Sequence, residues 1–258
     1  MRIRAFIILL CMILPYGRVS AQEVIENPPS RSVEGRLSAE IDKKLSRGLH
    51  LYMSEEVRMP GTANAIRRSY TELGMSYKIN PYLKVAAAYD LIAREHQEDE
   101  SWGYRLRHRG QFDVIGMYDA GIWRFSLRER LKATYNPADI NLYQSPHTVY
   151  ALCSRLKAEY RNPAWTGQPY ASVEVRNTLN NSRYKDGQYS YDDIYINRVR
   201  LSLGAEWRLD KKNYLDLYTL WDYRYDKDLD ANKRGKLKSI TYQEAYRLSI
   251  GIAYKFAL

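Results

Sequence analysis

Four histidines, a cysteine near mid-sequence and a dense set of arginines are the side chains of this sequence that could do chemistry. A hydrolase in a membrane wall needs a serine whose Oγ is activated by an adjacent histidine. His50, His96, His108 and His147 show no compact His-x-Ser arrangement, although Ser54 follows His50 at a spacing that returns to the same face of a strand. Cys153 and these histidines also lack the spacing of metal ligands. No glycine-rich phosphate loop is present. The sequence therefore predicts no catalytic, cofactor-binding or metal-ligating residue and no cofactor. A non-enzyme is expected, with a lipid-modifying enzyme kept as a second alternative. What remains is the spacing of the bases.

In residues 121–135, GIWRFSLRERLKATY, Arg124, Arg128, Arg130 and Lys132 fall on alternate positions with Ser126 and Thr134. The intervening set is Trp123, Phe125, Leu127, Glu129, Leu131, Ala133 and Tyr135. Only a β-strand separates side chains with period two, so one face is apolar with aromatic ends and the other is basic. At about 3.3 Å per residue this stretch runs roughly 50 Å, far longer than an ordinary globular strand. A long strand between an apolar and a polar medium suits a transmembrane β-barrel, with lipid outside and a polar lumen within. Glu129 is the exception on the apolar face.

The same phasing places Arg105, Arg107, Arg109, Arg124, Arg128, Arg130, Lys132, Arg155, Lys157, Arg198, Arg200 and Arg208 in the lumen. Acids on that side include Glu159, Glu206, Glu40, Asp42, Glu56, Glu72, Asp90, Asp113, Glu174, Asp216 and Asp222. Two readings follow. The charges form a cross-strand network that fills a small barrel, or they line a narrow water path favouring anionic solutes. The first is the expectation.

The rest of the chain supports export to a membrane. Mean hydropathy is −0.56, which excludes a helical membrane protein, and 24 Tyr stand against 4 Phe. Tyrosine, apolar in its ring and polar at its tip, suits the membrane–water boundary. Basic Tyr-rich chains also bind nucleic acid, but the N-terminus argues otherwise. Arg2 and Arg4 precede an apolar run at 5–14, Pro15 and Gly17 break it, and Val19-Ser20-Ala21 offers a small-residue cleavage site. Residues 1–21 are therefore expected to be a cleaved signal peptide. Their removal takes three arginines and no acid from a net +10, leaving +7 and the single cysteine Cys153, so no internal disulfide is possible.

Residues 22–35 contain Asn27-Pro28-Pro29-Ser30 and show no period, which predicts a flexible leader before a barrel at 36–258. Alternating stretches then follow one another, separated by short turns such as Asn80-Pro81 and longer polar loops at 94–102, 136–146, 178–193 and 226–238. Short periplasmic turns and longer extracellular loops are the pattern of an antiparallel outer-membrane barrel. Eleven stretches alternate, and single-chain bacterial barrels close with an even number, so 10–12 strands are expected and twelve preferred. In the loop at 178–193, Tyr184, Tyr189, Tyr191 and Tyr195 surround Lys185-Asp186-Gly187 and Asp192-Asp193. They are either an aromatic girdle with solvated tips, or a surface that binds sugars or a partner.

WGYRLRHRGQFDV at 102–114, SLRERLKATY at 126–135, PYASVEV at 169–175 and NRVRLSLGAEWRL at 197–209 occur in that order. Together with EIDKKLSRGLHLYMSEEVR at 40–58, the set resembles an outer-membrane family of Bacteroidetes-type bacteria, domain of unknown function 2490. The resemblance implies an outer-membrane location and a barrel fold. It implies no activity and carries over no site residues. The expected partners are outer-membrane lipid and, during insertion, the barrel-assembly machinery, with no nucleic acid.

Overall fold

The alternation at 121–135 becomes a strand, Trp123–Tyr135, with its aromatic ends turned outward. It is the sixth of eleven in a computed structural model that describes residues 23–61, 66–98, 101–137 and 140–258. The strands are β1 (Glu23–Ser46), β2 (Leu49–Pro60), β3 (Arg68–Asn80), β4 (Leu83–Glu98), β5 (Ser101–Ala120) and β6 (Trp123–Tyr135). They continue as β7 (Thr148–Tyr160), β8 (Gly167–Lys185), β9 (Gln188–Arg208), β10 (Asn213–Ala231) and β11 (Leu237–Ala257). Each pairs antiparallel with the next, and β1 closes the barrel by pairing parallel with β11. The proposed signal peptide, residues 1–21, lies outside the described residues.

The barrel is thus all-β and closed, but it has eleven strands and one parallel seam where twelve antiparallel strands were preferred. An odd number closes because the first and last strands run the same way. The difference lies in residues 23–35, expected as a flexible leader. They form the upper half of β1, in register with β11 from Glu23 opposite Ser239 to Gly35 opposite Ile250. Pro28 and Pro29 are accommodated at a register shift between Asn27 and Ser30. There β1 has no second neighbour, since its pairing with β2 begins only at Glu34. A strand with one free edge tolerates a missing N–H.

Stepping across the wall from Ser30 on β1, each directly paired residue leads in turn through Arg198, Cys153, Asp113 and His50 to Lys44, back on β1. The return point lies fourteen residues along the same strand, so the wall is strongly sheared. A shear of that size goes with strands tilted roughly 35–45°.

The two ends of the barrel differ. At one, which also holds Ala257, the connections 47–48, 81–82, 121–122 and 209–212 are short, and 161–166 is only slightly longer. At the other, β8 to β11 and β1 rise well above β2, β3, β6 and β7 and form a tall wall. Much of the sequence at 94–102, 178–193 and 226–238, expected as loop, is therefore strand. Above the apolar band polar residues occupy both faces among a few apolar ones such as Leu229 and Ile194, so the period-two signal fades while the ladder continues. The β8–β9 hairpin turns at Asp186-Gly187, both with positive φ (52° and 81°), the conformation that an Asp-Gly hairpin turn needs.

The inner face has its own packing device. Tyr52 lies against Gly74, Tyr170 against Gly204 and Tyr218 against Gly251, each pair directly opposite across neighbouring strands. A Cβ on any of these glycines would fall within 2.1–2.7 Å of the ring or its hydroxyl. The rings use space that only glycine leaves.

Candidate functional site

Inward-facing positions supply a charged interior, and the ladder brings its members together across strands. Near the short turns, Lys255 donates to Glu40 and Asp42 at 2.7 and 2.8 Å, across the parallel seam. His50 Nδ1 stands 2.8 Å from the same Asp42, so β11, β1 and β2 are joined by one cluster. Glu159 receives Arg161 at 2.6 Å and Lys157 at 3.3 Å. Lys157 also stands 4.0 Å over the ring of Tyr170, whose hydroxyl donates to Asp216 at 2.9 Å. Arg124 pairs with Asp119, and Arg208 donates to the Asp210 carbonyl at 3.1 Å.

Further in, most carboxylates are buried and hold arginines, largely from other strands. Glu174 on β8 receives Arg128 of β6 at 2.7 Å and Arg200 of β9 at 3.1 Å. Asp222, 2% exposed, is 2.9 Å from Arg198 and 3.4 Å from Arg200. Arg130 grips Asp113 through both carboxylate oxygens, at 2.6 and 2.5 Å, and reaches Gln111 at 3.0 Å. Asp90, fully buried, accepts from Arg109 and from Gln111. Glu34 joins Arg36 at 2.9 Å to Arg247 at 3.1 Å across the seam. Arg58 pairs with Glu56 and lies 4.2 Å from the centre of the Tyr70 ring, with Arg109 at 5.5 Å from the same ring. Bidentate and shared charge-assisted bonds of this kind fix geometry as well as charge.

The residues singled out in the sequence divide into three groups. Arg109, Arg128, Arg130, Lys132, Arg155, Arg198 and Arg200 converge on a cavity of about 430 Å³, with Glu206 lining its lower part. Arg124, Lys157, Glu159 and Arg208 stand near the short turns, outside that lining. Arg105 and Arg107 lie on β5 toward the opposite end, and Arg105 is exposed.

Sequence reading missed Arg36, Arg58, Arg176, Lys255 and Tyr70, all of which line the cavity. The basic residues among them carry the same alternation as those chosen, so their signal was present. Glu34 had none, because it lies where the prolines hide the strand. Ser54 makes no hydrogen bond to His50. His108 and His147 face outward among Tyr89 and Tyr135.

Carboxylates also turn the other way, Glu129 and Glu55 among them. Glu129, midway between the outward rings of Trp123 and Tyr135, accepts from Ser154 at 2.6 Å. Glu55 on β2 accepts from Thr71 at 2.5 Å and from Ser69.

No curated relative matches the sequence. Over residues 37–233, from the lower part of β1 to the connection after β10, it matches the family described as protein of unknown function (DUF2490), and the chain belongs to that family.

Proposed function

We propose that the protein is an outer-membrane barrel whose lumen is a charged scaffold and whose working surface is the rim of the tall wall. The observation that carries this reading is the commitment of the lumen's carboxylates and most of its bases to one another. Glu174, Asp222, Asp113 and Asp90 each bind arginines of neighbouring strands, so those guanidinium groups are not left to a passing solute. The outward apolar residues, bounded by rings such as Trp123, Tyr160 and Trp165 at one end and Tyr135 at the other, fit a lipid band with aromatic girdles.

The rim is ordered by its own contacts. The connection between β6 and β7 folds onto the tall wall, where Asn141 donates to the Ala231 carbonyl at 2.8 Å and Gln144 to Asp230 at 2.9 Å. This seats Tyr143 against Tyr189 at 5.1 Å between centroids, and Tyr189 against Tyr184 at 4.8 Å. Three packed rings at the rim suit a ligand with apolar faces, as sugars have.

Planar-bilayer recording of the refolded protein tests the reading. A scaffold lumen should give no steady conductance. A steady anion-selective current would replace it with the narrow-pore reading. The membrane placement has its own check in a Cys153→Ala background. Leu127→Cys should react with a lipid-soluble thiol reagent, and Ser126→Cys should not.

A further inference from the structure

We infer that the lumen cavity binds a small, water-borne oxyanion of the phosphate class through Lys132, Arg155 and Arg176. These three side chains come from the neighbouring strands β6, β7 and β8 and line the same cavity of about 430 Å³. Their neighbours Arg128, Arg130, Arg198 and Arg200 each have a carboxylate within 3.4 Å. Among the described residues no carboxylate pairs with Lys132, Arg155 or Arg176, and none of the three makes a side-chain hydrogen bond. The Nε atoms of Arg176 and of adjacent Arg128 are buried with no hydrogen-bond partner. Unpaired cations and orphaned donors in a polar cavity cost free energy that an anion there would offset.

The donor set points to the class of ligand. Guanidinium groups present planar forks that match the oxygens of phosphate, and an ammonium adds a point charge, so the set favours a multi-oxygen anion over chloride. The cavity is far larger than a water, which occupies about 30 Å³ in the liquid, so a phosphate ester fits as well as the bare ion. β1 pairs with β2 from Glu34 to Ser46 and with β11 on its other side, so the wall is closed beside the cavity and a lipid headgroup has no lateral way in. Glu206, Tyr214 and Lys255 extend the lining toward the short turns. The site is independent of the rim: it calls for occupancy, not conduction, and stands whether or not the rim binds sugar.

The test uses the refolded full barrel in phosphate-free detergent buffer. Inorganic phosphate should raise the thermal midpoint in a saturable way, by roughly 5–10 °C at a hundredfold excess over Kd. Chloride at matched ionic strength should not. Lys132→Met and Arg176→Met should each weaken phosphate binding about tenfold or more, the loss of one charge-assisted bond. Arg208→Ala, near the turns, should leave it unchanged. Equilibrium dialysis of radiolabelled phosphate against the unmodified protein gives the stoichiometry without any variant, and one phosphate per chain is expected. Absence of saturable binding in dialysis would overturn the site. An equal shift with chloride, or an undiminished shift in folded Lys132→Met and Arg176→Met, would do the same.

Discussion

Ser154 and Arg155 are consecutive residues of β7, and they stand opposite two carboxylates in opposite situations. Ser154, outside, hydrogen-bonds Glu129 at 2.6 Å. Arg155, inside, stands opposite Glu174 in the ladder without an ion pair to it, and Glu174 holds Arg128 and Arg200 instead, at 2.7 and 3.1 Å. The same functional group is thus given charge partners on one face of the sheet and hydroxyls on the other. Glu55 repeats the outer solution with Ser69 and Thr71. On an apolar face a cation would add a second charge to desolvate, whereas a hydroxyl brings a hydrogen bond without one. In the lumen the cation brings the opposite charge and a bidentate or shared bond, which offsets part of the desolvation. Partner choice follows the medium.

Removing the inner carboxylate should have the largest effect. Glu174→Gln leaves Arg128 and Arg200 without the charge they share, and breaking one member of a buried pair typically costs about 3–5 kcal/mol. The side chain of Glu174 is 10% exposed and those of the two arginines 12% and 16%, so little solvent screening is available. The midpoint of heat-modified gel migration should fall accordingly. A loss below about 1 kcal/mol would put these groups in effectively bulk water, as exposed pairs are, and would favour a water-filled path over a scaffold.

Next comes the inner packing. Gly251→Ala places a Cβ 2.1 Å from Cζ of Tyr218, and the ring must leave its seat. Overpacking of this kind costs about 1–3 kcal/mol. Gly251→Ala combined with Tyr218→Ala should lose less than the two single changes added together. Full additivity, by the same thermal midpoint, would mean that ring and glycine are not coupled.

The outer carboxylate should respond with the opposite sign. Glu129→Leu, made with Ser154→Ala so that no hydroxyl is orphaned, should stabilise the barrel in bilayers by less than about 2 kcal/mol. An acid on the lipid face costs less than the roughly 2–4 kcal/mol of a midplane Arg or Lys. Urea unfolding from liposomes measures it. A destabilised variant would mean that this face meets a polar partner and not lipid.

Much of this contrast was legible in the sequence. The strand at 121–135 announced both faces, including Glu129 on the apolar one, because a two-residue period survives wherever the two media differ. It failed where they do not. Residues 23–34 join β11 through backbone bonds that two prolines disguised, and Tyr184 to Tyr195 are strand-borne although Asn, Asp and Tyr occupy both faces. The Asp186-Gly187 pair was the local hairpin signal there. Pairing partners were not legible at all: Glu174 meets Arg128, 46 residues away, only because β7 lies between them in the closed sheet.

The smallest effect is expected at a carboxylate in neither medium. Asp210 lies in the turn between β9 and β10 and accepts the N–H of Lys212 at 2.7 Å and that of Asn213 at 2.8 Å. The Asn213 side-chain amide donates to its other oxygen at 2.6 Å. These bonds, with the Lys212 N–H foremost, hold the carboxyl below its ordinary value. A depressed carboxylate contributes stability above its unfolded-state pKa, about 3.9, and that contribution is lost as pH falls through the lower folded value. The group is fully exposed, so the thermal midpoint should not register the loss. Local probes should. The Lys212 and Asn213 amide resonances should shift together as Asp210 protonates, and Asp210→Ala should speed exchange of those two amides at neutral pH while distant ladder amides keep their rates. If the change slowed refolding or lowered the midpoint of the whole barrel, the turn would be part of what aligns β9 with β10, and the division of labour would extend beyond the two faces to the connections between them.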